Sequence, residues 1–397
     1  MPALASTTST HGKLVLILAA GGWDVSHALD PKAPDDAVDI PDGEAEYTAE
    51  LAGLPLQLNE QRRPGVSQYF SNWGHRTAIV NGLSTGTLSH PRSLARVLSG
   101  TVDDSSPDLA ALIGSDDGGR ALGTVDLSGY GRFGSHAATC ARWGQQGQAR
   151  ILLDPNAHVV SPDATHSYPL WMPDESDRLA VDLWLRGRAE GLSTRRPSTS
   201  ARVSEWQQSM ERAVRLREAG PAITEGLPWG WLASAQGDVD LAVELLRRDA
   251  CRAVVASTRQ IWDTHAHLDV QHNSWNLTFL ALDQMLTKLA ANDLLEQTTV
   301  LVVSEMGRTP RVNGQGGKDH WPWTSCLIAG GGVKGGQVLG GTDHELRGLL
   351  VDPTSGQVDG GGVAFEPAHI LAGMTELLGM DPGWAFPGIA PCRGFIA

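Results

Sequence analysis

The chain has 397 residues, 41% of them hydrophobic and 19% charged, with a formal net charge of −14. That length supports one large core or two smaller ones. The acidic balance excludes a general nucleic-acid binder, which needs clustered Lys and Arg, but leaves room for a small anionic substrate beside a bound cation.

Met1 to Gly12 is polar and lacks a basic segment followed by an apolar one, so no export signal is visible. Residues 14–20 are apolar but too short to cross a bilayer. The expectation is a cytoplasmic protein with no membrane partner. Residues 13–20 (KLVLILAA) form an unbroken apolar run stopped by Gly21-Gly22-Trp23-Asp24, the pattern of a central strand covered on both faces. Residues 31–65 are rich in Pro and Asp and read mostly as loop. Residues 77–80 (TAIV) read as a second strand. Ser89-His90-Pro91-Arg92 opens a helix that Gly100 stops. Residues 108–113 read as a further helix, and residues 115–170 as irregular.

Helical composition returns over 201–218 and 239–248, with a surface linker expected at 187–199. Residues 252–257 (RAVVAS) read as a strand leading into Trp262-Asp263-Thr264-His265-Ala266-His267. In the helix that follows, Trp275, Phe279, Leu282, Leu286 and Leu289 recur at steps of four and three. Strands are expected at 298–303 (TTVLVV) and 325–329, and a last helix at 366–378. Strand alternating with helix predicts an α/β protein, with a mostly parallel central sheet covered by helices on both faces. The four cysteines, Cys140, Cys251, Cys326 and Cys392, form no Cys-x-x-Cys pair and read as buried, reduced thiols. Most of the 13 Trp read as packing residues.

In a parallel sheet, ligands bind beyond the carboxyl ends of the strands. That rule selects Asp24, Asp263 and Glu305, whose mutual repulsion calls for a cation between them. Asp263 and His267 share a face if the segment is helical; His265 shares it if the segment is extended. Glu305 stands in the turn Ser304-Glu305-Met306-Gly307-Arg308, where it could equally pair with Arg308. Asp319-His320 follows Gly316-Gly317-Lys318, where paired glycines let backbone approach a ligand; His320 could equally be held by local hydrogen bonds. Asp24 could simply cap its turn. Ser89 and His90 stand where a helix N-terminus favours an oxyanion or a nucleophile, although Ser89 could be a plain cap. Arg308 and Lys318 could make charge-assisted contacts to an anion.

In order and spacing, LVLILAAGGWD, NGLSTGTLSHPRSLARVLSG, WDTH, SEMGRTPRVNG, GGKDHWP, LIAGGGVKGGQVLGGTD and EPAHILAGMTELLGM resemble the DUF1501 family of the alkaline phosphatase/sulfatase-like superfamily. The likeness covers the first 110 residues and about 250–380, and implies a single alkaline phosphatase-like domain over 1–397 with an insertion or cap over 115–235. It implies divalent metal ions (Zn, Mn, Ca or Mg): Asp263, His267 and His320 on one, Asp24 and Glu305 on another. Met306 stands where that superfamily places a His, so His27, His90 or Asp319 would have to supply the missing ligand. Ser89-His90-Pro91 is similar to the sulfatase nucleophile element but has no Cys, so formylglycine chemistry is not supported. The implied activity is hydrolysis of phosphate or sulfate esters of a small anionic substrate, with Ser89, His90 and Arg308 as catalytic residues. The alternatives are a non-catalytic or single-metal relative that binds an anion or glycan, and a lyase or isomerase on the same fold.

Overall fold

An uninterrupted apolar run can only be a strand if both of its faces are covered, and Lys13–Leu18 is buried at every position. The computed structural model describes residues 12–33, 37–40, 45–116, 119–143, 159–160, 167–168, 175–193, 197–224 and 234–397. The main sheet has eight strands: β1 (Lys13–Leu18), β2 (Thr77–Ser84), β3 (Thr124–Asp126), β4 (Cys140–Arg142), β5 (Ala253–Ser257), β6 (Thr298–Val303), β7 (Trp323–Gly330) and β8 (Gln337–Gly340). Their spatial order is β8-β2-β7-β6-β1-β5-β3-β4. All neighbours are parallel except around β7, which runs antiparallel to both β6 and β2.

Alternate residues of β1 feed two separate cores. Val15 and Ile17 pack in one with α1 (Pro64–Trp73), α6 (Ala235–Arg247) and α7 (Val270–Ala291). Leu14, Leu16 and Leu18 pack in the other with α2 (His90–Ser99), α3 (Leu109–Ser115) and α8 (Pro367–Leu377). The predicted stripe of α7 is buried from Trp275 to Leu289, each such side chain contributing roughly 1.5–3 kcal/mol. Gly100 ends α2 in the left-handed conformation, with φ 75. Helices α4 (Glu175–Ser193) and α5 (Pro197–Thr224) pair with each other.

Three expectations need correction. Residues 187–193 and 197–199, expected as part of a surface linker, belong to α4 and α5. Residues 31–65 contain an antiparallel hairpin, Tyr47–Leu51 with Leu54–Leu58, and the start of α1. The stretch from 115 supplies β3 and β4 to the main sheet, so it is neither wholly irregular nor wholly separate; the rest of 115–170 lies largely outside the described residues. No helix of the described residues is long and apolar enough to cross a membrane. Cys251, Cys326 and Cys392 are buried free thiols, and Cys140 is a half-buried one.

Candidate metal centre

Because β6, β1 and β5 are adjacent and parallel, the segments after Val303, Leu18 and Ser257 leave the sheet side by side. They carry Glu305, Gly21 and Asp263. Two further segments close the site: the start of α2, with His90, and a short hairpin in which Arg308 pairs with His320.

Three imidazoles and one carboxylate converge there. His320 Nε2 lies 3.1 Å from His90 Nε2 and 2.9 Å from His265 Nε2. Asp263 Oδ1 lies 3.2 Å from His265 Nε2 and 3.4 Å from His320 Nε2, and its Oδ2 lies 3.7 Å from His90 Nε2. The other ring nitrogen of each histidine is engaged elsewhere. His90 Nδ1 meets Glu305 Oε1 at 2.7 Å, His265 Nδ1 meets Asp319 Oδ1 at 2.8 Å, and His320 Nδ1 meets the Leu88 carbonyl at 3.1 Å.

Those partners assign the tautomers. Carboxylates and carbonyls only accept, so each Nδ1 carries a proton and donates it. His320 Nε2 therefore faces the Nε2 of His90 and the Nε2 of His265 at hydrogen-bond distance. Where both nitrogens of such a pair are bare, their lone pairs repel unless a proton or a metal cation sits between them. Imidazoles whose outer N–H groups are held by carboxylate or carbonyl are the usual arrangement around a protein-bound transition ion. Glu305 fits the same scheme: it is buried, accepts the Gly21 N–H at 2.7 Å, and its Oε2 has no hydrogen-bond partner among the described residues. The bond to Glu305 raises the pKa of His90, whereas burial, with Arg308 and His90 nearby, lowers that of His320. The bond from His265 holds Asp319 below the usual carboxylate range.

The loops are clamped from behind. Arg308 is fully buried and donates to the carbonyls of Gly22, Gly21, Trp262 and Lys318 and, at 2.7 Å, to Asp263 Oδ1. Burial alone would raise the Asp263 pKa; the Arg308 guanidinium outweighs it and lowers it. Gln271 is equally buried: its Oε1 accepts the Asp24 N–H, and its Nε2 donates to Gly22, Trp262 and Thr264. Trp23, Trp262 and Trp275 pack beneath, with Trp23 stacked on Trp275 at 4.9 Å. Gly317 passes so close to residue 265 that a Cβ would lie 2.3 Å from its carbonyl carbon. At Gly21 the φ is +125, and a Cβ would lie 2.7 Å from the Asp263 amide nitrogen. Gly21→Ala is therefore expected to cost ~1–3 kcal/mol of stability, measurable by urea unfolding.

Of the residues expected from the sequence, His90, Asp263, Glu305, Asp319 and His320 come together. Asp24 does not reach the cluster. It is fully buried and paired with Lys318 Nζ at 2.7 Å; Ser26 Oγ donates to it at 2.7 Å, and His27 Nδ1 lies 3.3 Å away. Burial would raise its pKa, but Lys318 and His27 prevail and hold it far below the usual carboxylate range. Burial lowers the pKa of His27. Lys318 and Arg308 both point inward, so neither can contact a substrate anion as expected. The helical pairing of Asp263 with His267 also fails: α7 begins only at Val270, and Ala266 bridges to Gly316 in extended backbone. His267 is exposed, with φ 58, and the extended-chain alternative, His265, meets Asp263. Ser89 is exposed and its side chain makes no cap bond to α2. Gln271 and Asn313, whose side chain holds the His265 carbonyl and Asp319, escaped the sequence reading. The signal for Gln271 was a polar residue on the buried face of an amphipathic helix.

No curated protein matches the chain. Among solved structures it is similar to the phosphonate monoester hydrolase SpPMH from Silicibacter pomeroyi, with 10% identity and a TM-score of 0.40 over 96% of this chain and 76% of that one. It is also similar to the lipoteichoic acid synthase LtaP from Listeria monocytogenes, at 6% identity and TM-score 0.38, covering 96% and 74% of the two chains. The alkaline phosphatase of the Antarctic bacterium TAB5 is 13% identical, with TM-score 0.33 over 83% and 95%. A family model described as "Protein of unknown function (DUF1501)" matches residues 172–382, more than half of the chain. The chain belongs to the DUF1501 family.

Proposed function

We propose that the chain is a hydrolase of phosphate or sulfate esters that works with one divalent cation held by His90, Asp263, His320 and His265. The observation behind this reading is that His320 Nε2 faces the Nε2 atoms of His90 and His265 beside the Asp263 carboxylate, each ring oriented through its Nδ1. Three imidazoles to one carboxylate favour zinc over calcium or magnesium, which prefer all-oxygen sets. Such a cation, when bound, would neutralise an anionic ester and ease deprotonation of the attacking group.

The protein's own groups supply the rest. Ser89 presents a free hydroxyl at the first turn of α2, between Leu88, whose carbonyl orients His320, and His90, which faces Asp263. In that turn Pro91 has no N–H and Ser93 N–H donates to the Ser89 carbonyl, which leaves the His90 and Arg92 N–H groups without partners within the helix; such groups favour the oxygens of a tetrahedral anion. Arg308 positions Asp263.

Zinc-supplemented protein is expected to release p-nitrophenol from p-nitrophenyl phosphate or sulfate, and Asp263→Ala to abolish release. Absence of turnover across a broad ester panel, with no effect of Asp263→Ala, would overturn the proposal. Ser89→Ala is expected to lower kcat by about a thousandfold at unchanged metal content if the hydroxyl attacks. A change within about tenfold assigns the attack to water. The burial of Arg308 and Lys318 favours a second reading, in which the centre binds cation and anion without turnover. Stoichiometric metal with no turnover selects it.

A further inference from the structure

Beside the metal centre lies a cleft of about 480 Å³ that none of the groups above occupies. It opens at the carboxyl ends of β1, β5 and β3, and is lined by Leu18 and Ala20, residues 127–130 and residues 257–260. Its volume falls within the ~300–1,000 Å³ usual for small-molecule sites. The cleft and the metal centre share their chain. Ala20 precedes Gly21, whose N–H holds Glu305, and Gln260 stands three residues before Asp263.

The lining has a definite chemical character. Ser128, Ser257 and Thr258 contribute hydroxyls, Gln260 an amide, and Tyr130 a ring 41% exposed at the rim. Among the described residues of the lining the one cation, Arg259, is already engaged. It donates to Asp238 at 2.9 Å and 3.4 Å and to the Leu127 carbonyl at 2.6 Å. Among the described residues a second anion therefore finds no free positive charge there, and an alkyl chain would strip water from hydroxyls without replacing their hydrogen bonds.

The walls are also preformed. Arg259 adopts φ 56, a strained conformation for a non-glycine residue, and its guanidinium ties the segment after β5 to Leu127 in the adjacent segment after β3. Thr258 Oγ1 is fixed by Trp262 Nε1 at 2.8 Å, and Ser128 Oγ by Asp126 at 2.6 Å. A rigid cleft of hydroxyls, one amide and an aromatic rim, with no free charge among the described residues, suits a ring that itself carries several hydroxyls.

We propose that this cleft is a subsite for a neutral pyranose, so that the ester presented to the metal centre is carried on a sugar. The identity of that substrate rests on the ester-hydrolase reading; the binding of sugar does not. The test uses the full chain with neutral methyl hexopyranosides as probes, observed by saturation-transfer NMR, in zinc-supplemented and chelator-stripped protein. Saturation transfer is expected in both preparations. Gln260→Trp, which fills the cleft, is expected to weaken binding by about tenfold, and Tyr130→Ala, a truncation of an exposed ring, covers the case in which Gln260→Trp does not fold. Failure of every methyl hexopyranoside to bind overturns the proposal, even if aryl esters are turned over. Binding that survives both substitutions in folded protein overturns it too. Sugar binding that the variants weaken, without turnover of any ester, keeps the subsite and defeats the hydrolase reading.

Discussion

About one equivalent of zinc is expected to bind each chain, and His320→Ala to abolish that binding, as read by elemental analysis after dialysis. His320 Nε2 contacts both other imidazoles and Asp263, so its loss leaves the remaining nitrogens without a shared focus. The groups that orient the rings give a graded version of the same experiment. Asp319→Asn keeps the shape but weakens the acceptor for His265 Nδ1, and removing such outer partners typically costs 10–100-fold in metal affinity. Competition against a chelator reads that loss directly. His267→Ala should leave affinity unchanged, because His267 is exposed and lies on the far side of an extended turn. Equal losses for His267→Ala and His265→Ala would mean that another ligand set operates.

Lys318→Met is expected to destabilise the protein by roughly 3–5 kcal/mol, the usual result of leaving a buried charge without its partner. Lys318 and Asp24 are both fully buried and 2.7 Å apart. Methionine fills nearly the same space, so the loss isolates the charge on Asp24. Adding Asp24→Asn to Lys318→Met should recover a large part of it, since the second change removes the orphaned carboxylate. Urea unfolding of the two single variants and the double variant gives the coupling energy, expected at about 2 kcal/mol or more. Single-variant costs that simply add would show that the pair acts as two independent groups.

Much of this architecture was legible in the residues. The apolar runs at 13–18, 253–257 and 298–303 admit only a doubly covered strand, and the 275–289 stripe only a helix on a core. Strands β3 and β4, three residues each, are too short to show a period, and the antiparallel course of β7 depends on pairing that no local pattern encodes. At the site, the choice between His265 and His267 turned on whether residues 263–267 wind or extend. The extended form follows from the bridge of Ala266 to Gly316, a contact made 50 residues away in sequence. The inward course of Arg308 and Lys318 was equally hidden, because a basic residue in a glycine-rich turn looks the same whether it faces solvent or a buried carboxylate. His90, Asp263 and Glu305 were visible because each follows a strand or opens a helix at the sheet's carboxyl edge, and His320 because it follows a pair of glycines.

The imidazoles that meet at this centre come from remote parts of the chain, His90 and His320 being 230 residues apart. An unfolded chain scatters them, so a cation gripped by all of them acts as a staple closing loops of that length, and its full affinity becomes resistance to unfolding. Zinc supply in the surrounding compartment would then set how long the protein survives proteolysis, independently of any reaction it performs.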